Sequence, residues 1–370
     1  MSYGSLMNQS IADSIFEYAT IRVTGPSHGT SVTMTFSGGG AQNLTEVSNG
    51  VWEGKVSDKG VYTVNAGSLY TTSSVVVTVP KTYSVSLSVA VSGTLNNNSW
   101  STISNISRQG LASRYWSVGD TKKVTLNGTI SFYPEYDSNK ISYNNLTVEA
   151  FIVGINHNAS REGNNLIHFQ LGKVGNYVRC FQAEYYGVRQ TGGFCHADYA
   201  GQSKGWSQSL IRNKYLATSD VGNPQVLGGT NTFTSLWPIS LINNIRSVTK
   251  YTNNNKPASN LSSDITSTTD KLFIMSEYEL FGYCYNANKY EQNYQKYYAY
   301  YSSGNSRDGN GITYLGKLES VNSARYFWTR SPATTQNRFC AWGGSLGDYE
   351  NLSSIYEGNT SLAVQPCFCV

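Results

Sequence analysis

The run SVTMTFSGG, residues 31–39, alternates its side chains: Val32, Met34 and Phe36 fall to one side, Thr33 and Thr35 to the other. A period of two belongs to a strand with one face buried and one in water. The signature recurs outward from this run, in TIRVTG (20–25), GVWEGKVS (50–57), GVYTVNAG (60–67) and SSVVVTVP (73–80). Gly-, Asn- and Ser-rich turns separate these runs at about eight to twelve residues, the spacing of short antiparallel strands. The pattern predicts a small β-sandwich over residues 19–82, closed by Pro80. Residues 1–18 have weak periodicity and read as an arm or anchor that a partner orders. Residues 83–94 read as a strand-like linker.

From residue 95 the texture becomes α+β. SWSTISNISRQG (99–110) spaces Trp100, Ile103 and Ile106 three apart, with Ser99 as N-cap and Gly110 as stop. GWSQSLIRNKYL (205–216) predicts a three-turn helix with Trp206, Leu210, Ile211 and Tyr215 on one stripe. SEYELFG (276–282) offers Ser276 and Glu279 at capping-box spacing and Gly282 as terminator. Strands surround these helices: KKVTLNGTI, TVEAFIVGI, LIHFQLGK, KLFIMS, RYFWTRS, RFCAWGG and LAVQPCFCV. Few helices among many short strands point to an α+β domain rather than a parallel βαβ fold, and with the sandwich in front the chain reads as β-rich and multidomain.

Charged residues make up 14% of the 370 residues, against roughly 25% in ordinary soluble domains. Neutral Ser, Thr, Asn and Gly therefore carry solubility. The net charge of +4 is slight, DTKKVT (120–125) is the densest basic spot, and no stripe for nucleic acid is present. No run has the length or apolarity of a membrane span, and MSYGSLMNQSIADSIF lacks the basic start and apolar segment of an export signal. The expectation is synthesis in a cytosol, with Cys180, Cys195, Cys284, Cys340, Cys367 and Cys369 as thiols rather than a disulfide framework.

Candidate chemistry meets an objection at each motif. GGSLG (343–347) has the form of a nucleophile elbow, but no His follows Ser345; the four are His28, His157, His168 and His196. Asp308, Asn310 and Glu319 sit at EF-hand-like offsets, yet Ile312 and Thr313 occupy positions that a calcium loop gives to a ligand and a glycine. Calcium held by loop carbonyls stays open, without assignable ligands; no other cofactor is expected. His157, His168, His196 and Cys195 lack a close metal-binding pair. Glu162, Asp198, Glu277 and Glu279 have no recognisable glycosidase context. The 28 tyrosines are the remaining anomaly. They concentrate in YCYNANKYEQNYQKYYAYYSSGNSRDGNG (283–311), where Tyr290, Tyr294, Tyr297, Tyr298, Tyr300 and Tyr301 are the candidate ligand-binding rings.

LNNNSWSTISNISRQGLASRYWSVGDTKKVTLNG (95–128) carries Trp100 and Ile103, then Tyr115, Trp116, Gly119, Asp120 and Lys122, then Leu126, Asn127 and Gly128. With FIVGINHNASREGNNLIHFQLGK, GWSQSLIRNKYL, DKLFIMSEYELFG, FWTRSP and VQPCFCV in that order, residues 95–370 resemble the DUF6273 family of bacterial and phage domains. The resemblance implies a C-type-lectin-like fold, related in shape to formylglycine-generating enzymes and to retroelement-diversified display proteins. It also implies a small immunoglobulin-like domain in front. VQPCFCV would then be a closing strand beside the first strand. Trp328 would be a core plug and Arg330 an internal tether for loop carbonyls. Pro332 would release the chain into a variable loop, and Trp100, Trp116, Asp120, Trp206 and Pro366 would be scaffold. Cys367 departs from the family's frequent Ala, and it invites comparison with the copper-binding thiols of formylglycine-generating enzymes. Apolar neighbours argue against reactive thiols there.

The expected function is a non-enzymatic surface protein of a tailed-phage virion, as capsid decoration, head fibre or tail fibre. It would be assembled in the host bacterial cytoplasm, bound to other virion proteins through its arm and sandwich, and oligomeric on the particle. Its ligands would be host-surface or mucosal glycans or proteins, with no nucleic acid and no membrane. The alternatives are an architectural cement protein without external ligand, and an enzyme using Cys367 and Cys369.

Overall fold

The computed structural model describes residues 18–26, 28–37, 39–67, 69–88, 90–131, 140–174, 177–178, 180–181, 205–217, 224–254, 259–304, 314–315, 326–334, 338–343, 354–357 and 363–370. The chain is β-rich and divides into two compact units, residues 1–92 and 93–370. The expected arm, His196, Cys195, Asp198, the GGSLG serine and Asp308, Asn310 and Glu319 lie outside the described residues. Among the described residues no helix is long and apolar enough to cross a membrane.

The first unit has eight strands: β1 (Ala19–Thr24), β2 (Thr33–Phe36), β3 (Ala41–Asn43), β4 (Thr45–Ser48), β5 (Val51–Val56), β6 (Gly60–Asn65), β7 (Ser73–Val77) and β8 (Thr82–Ser86); the alternating runs form β1, β2, β5, β6 and β7, and the other three lie outside them. They make two four-stranded sheets, ordered β4-β5-β1-β8 and β3-β2-β6-β7. Their inward residues share one core, with Ile21, Val23, Trp52 and Val85 from the first sheet and Met34, Tyr62, Val64 and Val77 from the second. The expected boundary at residue 82 was too early. Residues 83–86 of the expected linker 83–94 belong to the sandwich: with Thr82 they pair in parallel with β1, and Val85 and Leu87 are buried in the same core.

Gly25 fixes the crossing of these ends. It has φ +105°, and a Cβ there would stand 2.0 Å from the Leu87 carbonyl oxygen. Gly25→Ala is therefore expected to cost at least about 1–3 kcal/mol from backbone strain alone. Amide hydrogen exchange should show lost protection in β1 and β8, and unchanged protection there would refute the assignment.

The second unit is organised by a larger sheet built from β9 (Thr121–Ser131), β10 (Lys140–Ile155), β11 (Ile167–Val174), β12 (Tyr177–Val178), β16 (Leu272–Phe273) and β21 (Cys367–Cys369). Its order is β16-β21-β11-β10-β9, with β12 also on β11. VQPCFCV is thus an interior strand, flanked by β11 and β16 and not by the first strand, which lies at the edge beside β10. Smaller pairings are β13 (Cys180–Phe181) with β17 (Tyr314–Leu315), β14 (Val248–Asn253) with β15 (Ile265–Asp270), and β18 (Tyr326–Pro332), β19 (Arg338–Gly343) and β20 (Ser354–Glu357) in order. Helix α1 (Trp100–Arg108) starts at Ser99, whose side chain accepts the Thr102 N–H, and the chain leaves it through Gly110 at φ +71°.

The three-turn helix expected over 205–216 does not form. A 3₁₀ turn at Trp206–Gln208 ends at an extended Ser209, and a π-helix covers Ile211–Leu216. Buried Asp270 accepts from both Trp206 Nε1 (2.9 Å) and Arg212 Nε (2.7 Å). Six residues apart on a regular helix, those side chains would point about 120° apart. The break lets both reach one carboxylate.

The two faces of the large sheet differ. Register places Phe169 opposite Phe368, and these rings pack with Trp100 and Trp237 at centroid distances of 5.3–5.8 Å. On the other face, His168 lies opposite Cys369 and Gln170 opposite Cys367, all buried. That polar face begins the site.

Candidate functional site: a buried ionic cluster

Single polar residues inside apolar runs converge beneath the sheet. β14 supplies Lys250, whose Nζ donates to Glu162 Oε2 (2.8 Å), Glu279 Oε1 (3.0 Å) and the Tyr298 hydroxyl (2.9 Å). An ammonium has three donors, and all three are used. Glu162 ends the short helix α2 (Ala159–Glu162). Glu279 stands in α3 (Glu277–Phe281), where the capping box with Ser276 forms as the sequence predicts and Gly282 ends the helix at φ +79°. β18 supplies Arg330, whose guanidinium binds Glu279 Oε2, the Ile274 carbonyl (2.9 Å) and the Thr252 hydroxyl (2.8 Å). Its partners are thus one carboxylate, one hydroxyl and one carbonyl. His168 Nδ1 lies 3.0 Å from the Tyr298 hydroxyl, and His157 stacks on the Tyr298 ring at 3.8 Å.

All these side chains are buried. Burial alone favours neutral forms, so the charges persist only where paired. For Glu279, burial is outweighed by Arg330 and Lys250, and its carboxyl is held well below the usual range. Burial works against the Lys250 charge, but Glu162 and Glu279 outweigh it and keep the ammonium above its ordinary range. Glu162 is pushed up, because burial exceeds what Lys250, shared with Glu279, returns. Burial and then Lys250 press His157 down to about 3 and His168 well below its ordinary value, so both are neutral imidazoles. Beside the cluster, buried Glu291 accepts from Asn253 N (3.1 Å) and Ser331 Oγ (2.7 Å), and burial raises it to about 7.

The arrangement limits its own chemistry. One nitrogen of His157 and carboxylate oxygens of Glu162 and Glu279 lie within 4.8 Å of one another, a set able to hold a metal ion. His157 Nε2 has no hydrogen-bond partner among the described residues. Lys250 Nζ, however, already bridges the two carboxylates and supplies the cation. Cys367 and Cys369 are free thiols, buried, with the thiolate disfavoured first by burial. Lys250 acts on both to favour the thiolate, but burial outweighs it, and neither has the access of a reactive cysteine.

Three candidate ligand-binding tyrosines are part of the interior. Tyr298, Tyr300 and Tyr301 are buried, not displayed. Their hydroxyls and rings have partners inside the fold: Tyr298 on Lys250, Tyr301 on Gln170 Oε1 (2.6 Å) and Tyr300 against Phe151 (4.8 Å). Tyr290, Tyr294 and Tyr297 are half-buried. Tyr294 stacks on Tyr251 (5.4 Å) beneath the Arg161 guanidinium, and the Tyr297 hydroxyl donates to the Tyr301 carbonyl. Among the scaffold residues, Trp100, Trp116, Trp206, Trp328 and Pro366 are buried. Asp120 accepts the Ser117 N–H (2.9 Å), and the Pro366 carbonyl accepts the Leu171 N–H (2.9 Å). Sequence reading missed the cluster. Its signal was LIHFQLGK, where His168 and Gln170 alternate with Ile167, Phe169 and Leu171, marking a buried face that is polar.

A family described as a domain of unknown function, DUF6273, matches residues 196–370. The match takes in Lys250, Glu279, Tyr298, Arg330 and β21, and it begins later than the resemblance read from residue 95. No curated protein matches the chain. Among solved structures, a DUF3823 family protein from Parabacteroides merdae is 9% identical, covering 42% of this chain and 89% of that one at a TM-score of 0.17. The Bacillus anthracis TIE protein is 9% identical, covering 44% of this chain and 29% of that one at a TM-score of 0.16. Likeness at those scores carries no argument about fold or function.

Proposed function

We propose that the chain is a non-enzymatic attachment protein of a tailed-phage particle. In this reading an immunoglobulin-like first unit, with the N-terminal arm, joins other virion proteins. A C-type-lectin-like second unit holds loops toward host-surface or mucosal glycans, and several copies act together on the particle. The supporting observation is the Lys250–Glu162–Glu279–Arg330 cluster. Its acids, amine and guanidinium are spent on one another inside a closed interior, the use expected of a rigid frame rather than of a site that must meet substrate. The particle context rests on the sequence resemblance to DUF6273 domains.

A second reading, architectural cement between capsid or tail subunits, draws on the burial of Tyr298, Tyr300 and Tyr301, which removes half of the expected contact rings. Two measurements separate the readings. Tryptic mass spectrometry of purified particles should contain this chain, and its absence would end both. Binding of the full chain on a glycan array supports attachment. No binding, together with particles that become fragile when the chain is deleted, supports cement.

A further inference from the structure

The first residue of α3 does something that a helix start does not require. Glu277 is completely buried, and its carboxylate accepts the backbone N–H groups of Tyr285 (2.8 Å), Asn286 (3.0 Å) and Ala287 (2.8 Å). Three successive amides converge on one anion, so the loop after the helix is wrapped around a fixed charge. The loop is held from other directions as well. Thr334 donates to the Asn286 carbonyl through its N–H (2.8 Å) and its hydroxyl (3.0 Å), and Ala287 bridges to Ala333. Asn288 donates to the Leu261 carbonyl (2.9 Å) and accepts the Tyr290 N–H (3.0 Å), while the Lys289 N–H donates to Asn260 Oδ1 (3.1 Å).

This rigid loop presents rings to solvent. Tyr285 is 71% exposed and Tyr283 is 37% exposed, the latter backed by Phe281 at 6.2 Å. Desolvating a carboxylate is costly, and here the return is the shape of a surface loop whose outer ring adds nothing to the core. Order of that kind lowers the entropy cost of binding.

We propose that the loop Tyr283–Asn288 is a saccharide-contact site, with Tyr285 as the stacking ring and Glu277 as its positioning residue. The proposal rests on the glycan-attachment reading and places the contact away from the buried Tyr298–Tyr301 segment. The ligand class follows from what the loop offers. An aromatic face suits the apolar C–H face of a hexose. Among the described residues beside the loop, the acids Glu277 and Glu291 are buried and Lys289 holds its ammonium 5.2 Å from the Tyr290 ring centroid, so the site favours a neutral sugar. One rigid ring matches a sugar footprint better than the roughly 800 Å² per partner of a standard protein interface.

The test uses the full chain and its Tyr285→Ala and Glu277→Gln variants on an array of neutral hexose and N-acetylhexosamine oligosaccharides. Tyr285→Ala should fold unchanged and bind about tenfold or more weakly. Glu277→Gln should also weaken binding, and amides 285–287 should lose hydrogen-exchange protection that Tyr285→Ala retains. If wild type binds and Tyr285→Ala binds equally well, the site is elsewhere and the attachment reading survives. If wild type binds none of these neutral saccharides, this site is overturned, and the attachment reading then stands or falls on the wider glycan array.

Discussion

Lys250→Met should destabilise the second unit by about 3–5 kcal/mol, the usual consequence of removing one partner from a buried ion pair. The substitution keeps an unbranched apolar stem one atom shorter and deletes all three donors at once. Glu162 and Glu279 then face each other with only Arg330 as a cation, and Arg330 reaches Glu279, not Glu162. Glu162 must take up a proton, and the Tyr298 hydroxyl loses its strongest partner. At about 2–4 °C per kcal/mol for a unit of this size, calorimetry should show a melting point lower by roughly 10 °C. The double variant Lys250→Met, Glu162→Gln should recover part of that loss, because it removes the stranded charge as well as its partner. A single variant that melts with the wild type would mean the cluster contributes nothing.

Stability should be nearly level between about pH 4.5 and 6.5 and then fall steeply in acid. His157, down to about 3, and His168, well below its ordinary 6.5, stay neutral in the folded state. Their contribution is complete above pH 6.5 and is lost as pH falls toward their folded values. Glu291, raised to about 7, and Glu162, also raised, run the other way from an ordinary 4.5. Their contribution is complete below pH 4.5 and is lost as pH rises toward 7. Across the shared window two protons gained on unfolding offset two released, and the slope is close to zero. Below pH 4.5 the buried glutamates no longer compensate, and Glu279, held low by Arg330 and Lys250, adds a third proton taken up on unfolding. Three such groups correspond to about 4 kcal/mol per pH unit. Urea unfolding from pH 3 to 8 measures this directly. A gradual decline from pH 7 downward, or equal stability at pH 3.5 and 6, would contradict the assigned protonation states.

How legible these features were depended on the distance between partners. Ser99 with Gly110, and Ser276 with Glu279 and Gly282, were readable because a helix cap is decided within a few residues of chain. The same Glu279 has a second role that no local pattern announces, since Lys250 is 29 positions away and Arg330 is 51. The helix over 205–216 was misread for a related reason: Trp206 and Arg212 answer to Asp270, more than fifty positions on. Tyrosine abundance pointed outward, while Tyr298, Tyr300 and Tyr301 turn inward because the polar face of the sheet has hydroxyl-binding partners for two of them. Alternation revealed five strands of the first unit, but β3 and β4 carry no such pattern, and the strand-like segment after residue 82 gave no sign that it pairs in parallel with a segment some sixty residues earlier.

The placement of Cys367–Cys369 between two other strands has a consequence for vectorial synthesis. A ribosome delivers β9, β10 and β11 long before their last neighbour, and Ser107 waits 263 residues for the Val370 carbonyl that its hydroxyl binds. Until then the backbone of His168–Gln170 in β11 is bare on that side, open to any passing extended peptide. Maturation of this half is therefore a late, long-range closure, slow by its topology and exposed to off-pathway association in crowded translation.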